Sequence, residues 1–197
     1  MNRAIVIASG LALAAALLWA AWRYFLASSA IISSPVIVAG QGHAYQFVAS
    51  ADLAWDVARA AAAKRAWQGH AGYLATVDDA AEYQLILERV FSRAYPDVTY
   101  LGGRQTAPGE WRWVTGPDAA ADGGKGKLFW RGDESGTMPS GGYANWMATA
   151  FQHGGKWDIA KVCCVSLFSY GVPQFSTSLG TGDAEEHVAG YLVEYGG

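Results

Sequence analysis

The residues of this sequence that could do chemistry are two adjacent cysteines, four histidines and the acids of the second half. Cys163 and Cys164 are the only cysteines, and a thiolate is nucleophilic where nearby cations lower its pKa. The histidines lack the spacing of a zinc site, and no Gly-x-Ser-x-Gly elbow organises a serine triad. An enzyme that uses the pair Cys163 and Cys164 is therefore the one catalytic hypothesis.

That hypothesis ranks below the binding functions, because cysteines in an apolar strand usually act as small inert hydrophobes. A disulfide between neighbours is rare, since an unstrained bridge separates its Cα atoms by about 5.5 Å and sequence neighbours lie about 3.8 Å apart. A disulfide between Cys163 and Cys164 is thus possible but rare, and the sequence leaves their state open. We expect a fold that does not depend on a disulfide framework.

Composition and charge narrow the functional classes. The chain has 197 residues, a net charge of -3 and 16% charged residues, so no basic surface favours a nucleic-acid partner. Its 24 glycines, nine tryptophans and ten tyrosines are typical of a loop-rich β protein with aromatic packing. The length allows one main domain and one further segment.

The amino-terminal segment predicts export. Residues 4–21 are apolar apart from Ser9, and a helix of this length spans close to the roughly 30 Å of bilayer hydrocarbon. We predict that residues 1–27 form a signal anchor or signal peptide and residues 28–42 a tether, with the domain held outside the cytoplasm, in the periplasm or extracellular space. The alternative is cleavage after Ala30, which would leave a secreted protein.

Two helices are expected after the tether. Asp52 can cap the first helix, and Asp79 with Glu82 forms a capping box that opens the second. The inward stripe of the first helix contains Trp55, Ala58, Ala62 and Ala66. The inward residues of the second helix are Leu85, Ile86 and Val90.

A strand with two tryptophans should form the core. Trp111 and Trp113 lie two residues apart, so a β-strand projects both to one face and turns Arg112 and Val114 to the other. The preceding strand is expected to end near Gly102, where a missing side chain suits a bend.

After Gly116 the periodicity fades for over forty residues, and a second irregular stretch covers Ser169 to Glu186. Loops this long are usually functional or disordered, and the many aromatic residues here favour packed order. Residues Ala189 to Tyr195 then form a closing strand.

Taken in order, these segments resemble a C-type lectin domain from about His43 to Tyr195, in particular the disulfide-poor members found in bacteria. The matching segments are Gly72-Tyr-Leu-Ala-Thr-Val with Glu82, Leu101-Gly-Gly, Trp111-Arg-Trp-Val-Thr-Gly, Tyr143-Ala-Asn-Trp and Gly190-Tyr-Leu-Val-Glu. The resemblance implies an α+β, C-type lectin-like fold over residues 43–197, with two helices, small antiparallel sheets and a long irregular loop region.

The sequence departs from this family where its sugar-binding members hold calcium. Those members carry a Glu-Pro-Asn or Gln-Pro-Asp soon after the Asn-Trp, whereas here no carboxylate follows Trp146 before Asp158. Calcium takes about six to eight oxygen ligands, usually with several carboxylates. We predict no cofactor and no metal; if calcium is bound, its ligands would be Asp133, Glu134 and Asp158.

The resemblance implies a binding module, and not an enzyme, that recognises a carbohydrate or protein ligand through the long loop. The alternative is a structural cell-envelope interaction protein without sugar binding. We expect the partners to be a glycan or protein ligand and, through residues 4–21, a membrane. The candidate ligand-binding residues are Trp130, Tyr143, Asn145, Trp146 and Trp157.

Overall fold

The computed structural model describes residues 36–37, 42–91, 96–151, 163–168, 173–182 and 187–197. These residues belong to the unit Ser33–Gly197. Within them no helix is long and apolar enough to cross a membrane. The predicted anchor, Trp157 and Asp158 lie outside the described residues.

Strands and helices are mixed along the chain. The strands are β1 (Val36–Ile37), β2 (Ala44–Ala49), β3 (Ala66–Trp67), β4 (His70–Leu74), β5 (Val98–Ala107), β6 (Glu110–Trp113), β7 (Lys127–Arg131), β8 (Cys164–Phe168), β9 (Gln174–Ser178) and β10 (Val188–Tyr195). The helices are α1 (Trp55–Ala63), α2 (Ala80–Leu85), which continues as a π-helix (Ile86–Val90), and the one-turn α3 (Ala121–Gly124), which follows a 3₁₀ turn (Pro117–Ala120).

The closing strand β10 is central to the sheet. One edge of β10 pairs with β2, and the other edge is shared between β5 along its first half and β4 along its second. From β5 the sheet continues to β6 and β7 and, separately, to β8 and β9. The prediction of antiparallel sheets is correct for the described strand pairs except β5 with β10, which is parallel.

Helix α1 packs through the predicted stripe. Trp55, Ala58 and Ala62 are buried, and the Trp55 indole donates a hydrogen bond of 2.7 Å to the carbonyl of Leu101 on β5. The predicted cap is wrong: Ala54 occupies that position without a side-chain bond, because Asp52 adopts a left-handed backbone with φ 53°. Ala66 also leaves the stripe, since it is exposed in β3.

Helix α2 begins as the sequence predicts. The Asp79 side chain accepts a 2.8 Å hydrogen bond from the Glu82 amide. Glu82 reaches back to the amide of Asp78 at 2.6 Å, one residue before the cap. Ile86 and Val90 are buried in the π-helical continuation, whereas Leu85 is only half-buried.

The two faces of β6 differ as predicted. Trp111 and Trp113 are 1% and 0% exposed, and Trp113 stacks on Phe129 with ring centroids 4.3 Å apart. Arg112 lies on the opposite face and is still only 5% exposed, so a charged side chain is buried behind the tryptophan strand.

The stretches predicted to be irregular contain strands. β7 lies in the first and pairs with β6, and β9 lies in the second and pairs with β8. β9 escaped detection because its buried positions hold hydroxyl residues such as Thr177, whose Oγ1 donates to the carbonyl of Ala150 at 2.6 Å. Gly102 lies inside β5 and not at its end. Its missing side chain allows close packing, because a Cβ there would overlap the Thr115 side chain and the Leu74 backbone.

Candidate functional site

The long loop after β7 rests on an aromatic base. Phe129 and Phe175 are fully buried, and their rings pack edge to face at 6.5 Å. Trp146 packs against both rings, with centroids at 6.0 and 5.8 Å, and against Phe151 at 4.8 Å. Trp146 is therefore anchored by contacts on several sides, although part of its surface stays accessible.

Backbone hydrogen bonds fix the loop to β9 beside the Trp146 ring. The amide of Phe175 donates to the Asn145 carbonyl at 2.8 Å, and the Met147 amide donates to the Phe175 carbonyl at 2.9 Å. These two bonds form a parallel bridge between Trp146 and Phe175. The geometry of residues 145–147 is thus set by a strand of the core.

Trp130 and Tyr143 flank the anchored tryptophan. Trp130 packs edge to face on Trp146 at 6.3 Å, and its indole donates to the Asp133 carbonyl at 3.1 Å. Tyr143 packs on Phe175 at 6.0 Å. Burial, and then the charge of Asp79, raise the pKa of the Tyr143 hydroxyl, so it remains a hydrogen-bond donor at neutral pH.

Asn145 adds a polar group to this set. Its side chain is half-buried, and the side-chain amide group makes no hydrogen bond with the described residues. A primary amide can donate two hydrogen bonds and accept others. The structure thus brings four of the five predicted ligand-binding residues together. We call Trp130, Tyr143, Asn145 and Trp146 the aromatic face.

Met138 was missed by the sequence analysis. It is 50% exposed, and its Cγ would lie 3.1 Å from a Cβ placed on Gly142, the residue before Tyr143. A lone methionine in an aperiodic stretch carries no periodic signal, so only the folded loop shows that it lies beside this face.

The acids of the loop have a local role. Asp133 and Glu134 are exposed, and Asp133 accepts hydrogen bonds from the Ser135 amide at 3.1 Å and its hydroxyl at 3.0 Å. These bonds lower the pKa of the Asp133 carboxyl. Among the described residues neither acid joins a group of three potential metal ligands.

One such group lies elsewhere, under β2 and β10. His43, Glu82 and Glu194 bring their ligand atoms within 4.8 Å of one another, and both glutamates are buried. The sequence analysis missed this cluster because its members lie far apart in the chain. His43 precedes β2, Glu82 lies on α2 and Glu194 lies on β10, and only the tertiary structure brings them together.

Each carboxylate of this cluster already accepts hydrogen bonds. The oxygens of Glu82 accept from the Tyr45 hydroxyl and the Asp78 amide. Those of Glu194 accept from His43 Nδ1 at 2.5 Å and the Thr76 amide at 3.1 Å.

Calcium takes about six to eight oxygen ligands. The cluster fits a calcium site poorly, because it offers two carboxylates that already accept hydrogen bonds and its third group is an imidazole.

Burial changes the ionisation of this cluster. It raises the pKa of Glu82 to about 7, although the hydrogen bonds from Tyr45 and Asp78 oppose this shift. The hydrogen bond that His43 donates to Glu194 raises the pKa of His43. At mildly acidic pH Glu82 is therefore neutral and His43 is charged.

No protein-family model matches the sequence. Halomucin from Haloquadratum walsbyi is 37% identical over 109 residues, which cover 55% of this chain and 1% of halomucin. The mouse scavenger receptor C-type lectin carbohydrate-recognition domain superposes with a TM-score of 0.53 at 13% identity, over 82% of this chain and 95% of that one. Human lithostathine superposes with a TM-score of 0.53 at 16% identity, over 86% and 94%.

The fold is that of a C-type lectin-like domain. The superpositions cover nearly all of each neighbour, so the sequence resemblance is confirmed at the level of the fold. At these identities the likeness shows the C-type lectin-like fold alone.

Within this C-type lectin-like fold the two cysteines adopt the rarer of the two states that the sequence left open. Cys163 and Cys164 form a disulfide with each other, and no cysteine is free. A Cβ on Gly180 would contact both sulfurs and Trp55, so the bridge packs where α1 begins. The thiol on which the enzyme hypothesis depended is therefore bonded.

Proposed function

We propose that the domain is a lectin-like binding module, and not an enzyme, that recognises a carbohydrate through the aromatic face. Ligand sites combine an apolar surface with a few polar groups that fix orientation. Here the accessible parts of the Trp130 and Trp146 rings, which meet at 63°, supply the apolar surface, and the Asn145 side chain supplies the hydrogen-bonding group. The mouse neighbour is a carbohydrate-recognition domain, which supports the same class of ligand.

The observation that carries this proposal is the side-chain amide group of Asn145. A half-buried amide without a partner among the described residues is a group whose hydrogen bonds a ligand could complete. The backbone carbonyl of Asn145 itself accepts a hydrogen bond from Phe175 of β9, so its side chain is held by a rigid support.

The same proposal holds that binding needs no calcium. Asp133 is engaged by Ser135, and recognition would rest on aromatic contact and on the amide. A protein ligand is the second candidate, because the half-exposed Met138 beside Tyr143 extends the apolar surface, and methionine is common at binding surfaces.

We further propose that the domain is exported and stays attached to a membrane through residues 4–21, from their apolar character. Amino-terminal sequencing of the protein from membrane and soluble fractions tests this. Recovery of a soluble form that begins at Ile31 would show cleavage and a secreted module.

A glycan screen tests the ligand class. The full chain, kept in a detergent without a sugar head group, would be screened with calcium and with a chelator, and we expect the same glycans to bind in both. Trp130→Ala and Asn145→Ala should each weaken binding about tenfold or more, as expected when one good contact is lost.

Trp67→Ala is the matched control, because Trp67 is also half-buried but packs on Tyr195. If no glycan binds, or if all three variants behave like the wild type, the aromatic face is not a sugar site. The structural alternative would then be favoured.

A further inference from the structure

A cavity lies on the face of β6 that points away from its tryptophans. Its volume is about 500 Å³, enough for a group the size of a monosaccharide. Arg59 of α1, Arg104 and Thr106 of β5, Arg112 of β6 and the exposed Lys125 contribute to its wall.

The cavity is basic on an acidic chain. Its lining includes four cations and one acid, Glu110. Glu110 is shared between Arg112 at 3.2 Å and Arg131 at 3.6 Å. Two further acids pair with the cations, Asp56 with Arg104 and Asp122 with Arg112. Cations thus outnumber acids, whereas the whole chain has a net charge of -3.

Two arginines face each other across the strands. Arg104 and Arg112 are register partners on β5 and β6, and like charges directly opposite in a sheet destabilise it. The ion pair between Arg104 and Asp56 offsets this repulsion little, because its N–O distance is 3.4 Å and the Asp56 side chain is 67% exposed.

Arg112 is also incompletely satisfied. Its Nη1 donates to Asp122 at 2.5 Å and to the Gly126 carbonyl at 2.7 Å. Its buried Nε has no hydrogen-bond partner among the described residues. A buried charged donor without a partner is costly, and an oxyanion in the cavity would supply the acceptor.

The other arginines are held in place by one ring. The guanidinium of Arg104 lies 5.3 Å and that of Arg59 5.7 Å from the Trp55 ring. Arg59 makes no ion pair with the described residues. Guanidinium groups fixed by cation–π contact lose less freedom when they bind an oxyanion.

We propose that this cavity binds an anionic group, a carboxylate or sulfate carried on a molecule of about the size of a monosaccharide. The planar guanidinium fork matches both oxyanions. The cavity lies on the opposite face of β6 from the aromatic face, so this site does not depend on the proposed function.

Calorimetric titration of the full chain at low salt tests the proposal with three probes: glucuronate, its neutral counterpart glucose, and inorganic sulfate. We expect saturable glucuronate binding that weakens as salt is raised, and glucose binding at least about tenfold weaker. Sulfate binding at the same site would show that a free oxyanion suffices, and its failure beside glucuronate binding would show that the sugar contributes.

The double variant Arg59→Gln/Lys125→Gln should weaken glucuronate or sulfate binding about tenfold or more. Both side chains are exposed, so the melting temperature should stay near that of the wild type. Arg89→Gln, exposed outside the cavity, should leave binding unchanged.

Three results would overturn the proposal. They are the absence of saturable binding by both anions up to about 20 mM, equal binding of glucose and glucuronate, and wild-type affinity in the double variant.

Discussion

Glu82 shows how one residue can link fold and pH. It is 9% exposed and lies where the first turn of α2 meets β2, with the Tyr45 hydroxyl and the Asp78 amide as donors. Because burial disfavours the charged carboxylate, its pKa is raised from 4.5 to about 7. Glu82 therefore makes the stability of the fold depend on pH.

The direction follows from proton uptake. Between pH 4.5 and 7 the folded chain keeps a proton on Glu82 that the unfolded chain has lost, so the free energy of unfolding falls as pH rises through this window. His43 acts in the same direction, because its raised pKa gives stability below pH 6.5 that is lost as pH rises through the folded value. We expect Glu82 alone to lower the free energy of unfolding by on the order of 3 kcal/mol as pH rises from 4.5 to 7.5.

Urea unfolding at several pH values tests this dependence. Glu82→Gln should flatten the loss, because glutamine resembles the protonated acid and keeps a carbonyl for the Asp78 amide. Glu88→Gln is the matched control, an exposed glutamate on the same helical segment, and should retain the wild-type slope. Equal slopes in all three proteins would show that Glu82 ionises normally.

At the scale of elements, β6 organises the core. Trp113 is fully buried and stacks on Phe129. Its register partner on β5 is Gly103, where an added Cβ would overlap the Trp113 ring. Trp113→Ala should lower the free energy of unfolding by about 3 to 5 kcal/mol. Chemical unfolding measures this.

Trp130→Ala on the neighbouring strand is the comparison, because Trp130 is only half-buried. It should cost clearly less than Trp113→Ala. Equal losses would contradict the assignment of Trp113 to the core and of Trp130 to a partly open surface.

The start of α1 depends on Gly180. The Trp55 amide donates to the Gly180 carbonyl at 3.0 Å, and Gly180 has φ +70° with both disulfide sulfurs where a Cβ would lie. Gly180→Ala should therefore destabilise the fold through backbone strain and overlap together.

Gly141→Ala separates the two effects. Gly141 has a similar φ of +76° but nothing within 4 Å of an added Cβ, so only the backbone cost of about 1 to 2 kcal/mol should appear. Melting curves compare the two variants. If Gly180→Ala costs no more than Gly141→Ala, the disulfide does not pack as described.

For the whole molecule, the prediction concerns calcium. The loop acids Asp133 and Glu134 do not join a ligand group within the described residues, and the cluster of His43, Glu82 and Glu194 is closed by hydrogen bonds. Titration of the full chain with calcium should show no saturable site at micromolar concentration, and calcium or a chelator should not shift the melting temperature.

A saturable calcium site would contradict this prediction, and two variants would locate it. Asp133→Asn would abolish a site in the loop, whereas Glu82→Gln would abolish one under β2 and β10.

Several features could be predicted from the sequence because local pattern decides them. The spacing of Trp111 and Trp113 places both on one face of a strand, and the capping box at Asp79 starts a helix, as the structure shows. The segments from Gly72 to Glu194 occur in the order of the C-type lectin-like fold. The candidate residues Trp130, Tyr143 and Trp146 could be named because aromatic residues in a long loop are conspicuous, and Asn145 because it belongs to the matching segment Tyr143-Ala-Asn-Trp.

The tertiary structure decided the features that arise from contacts between distant segments. It makes Arg104 and Arg112 partners on neighbouring strands, and it gives the buried Glu82 and Glu194 hydrogen-bond donors from distant segments, Tyr45 and His43. The tertiary structure also decided that β9 is a buried strand, because its hydroxyl residues find hydrogen-bond partners far along the chain, as Thr177 does at the Ala150 carbonyl. Sequence pattern reports which face a side chain takes along its own element, whereas burial, pairing and charge depend on which other element covers that face.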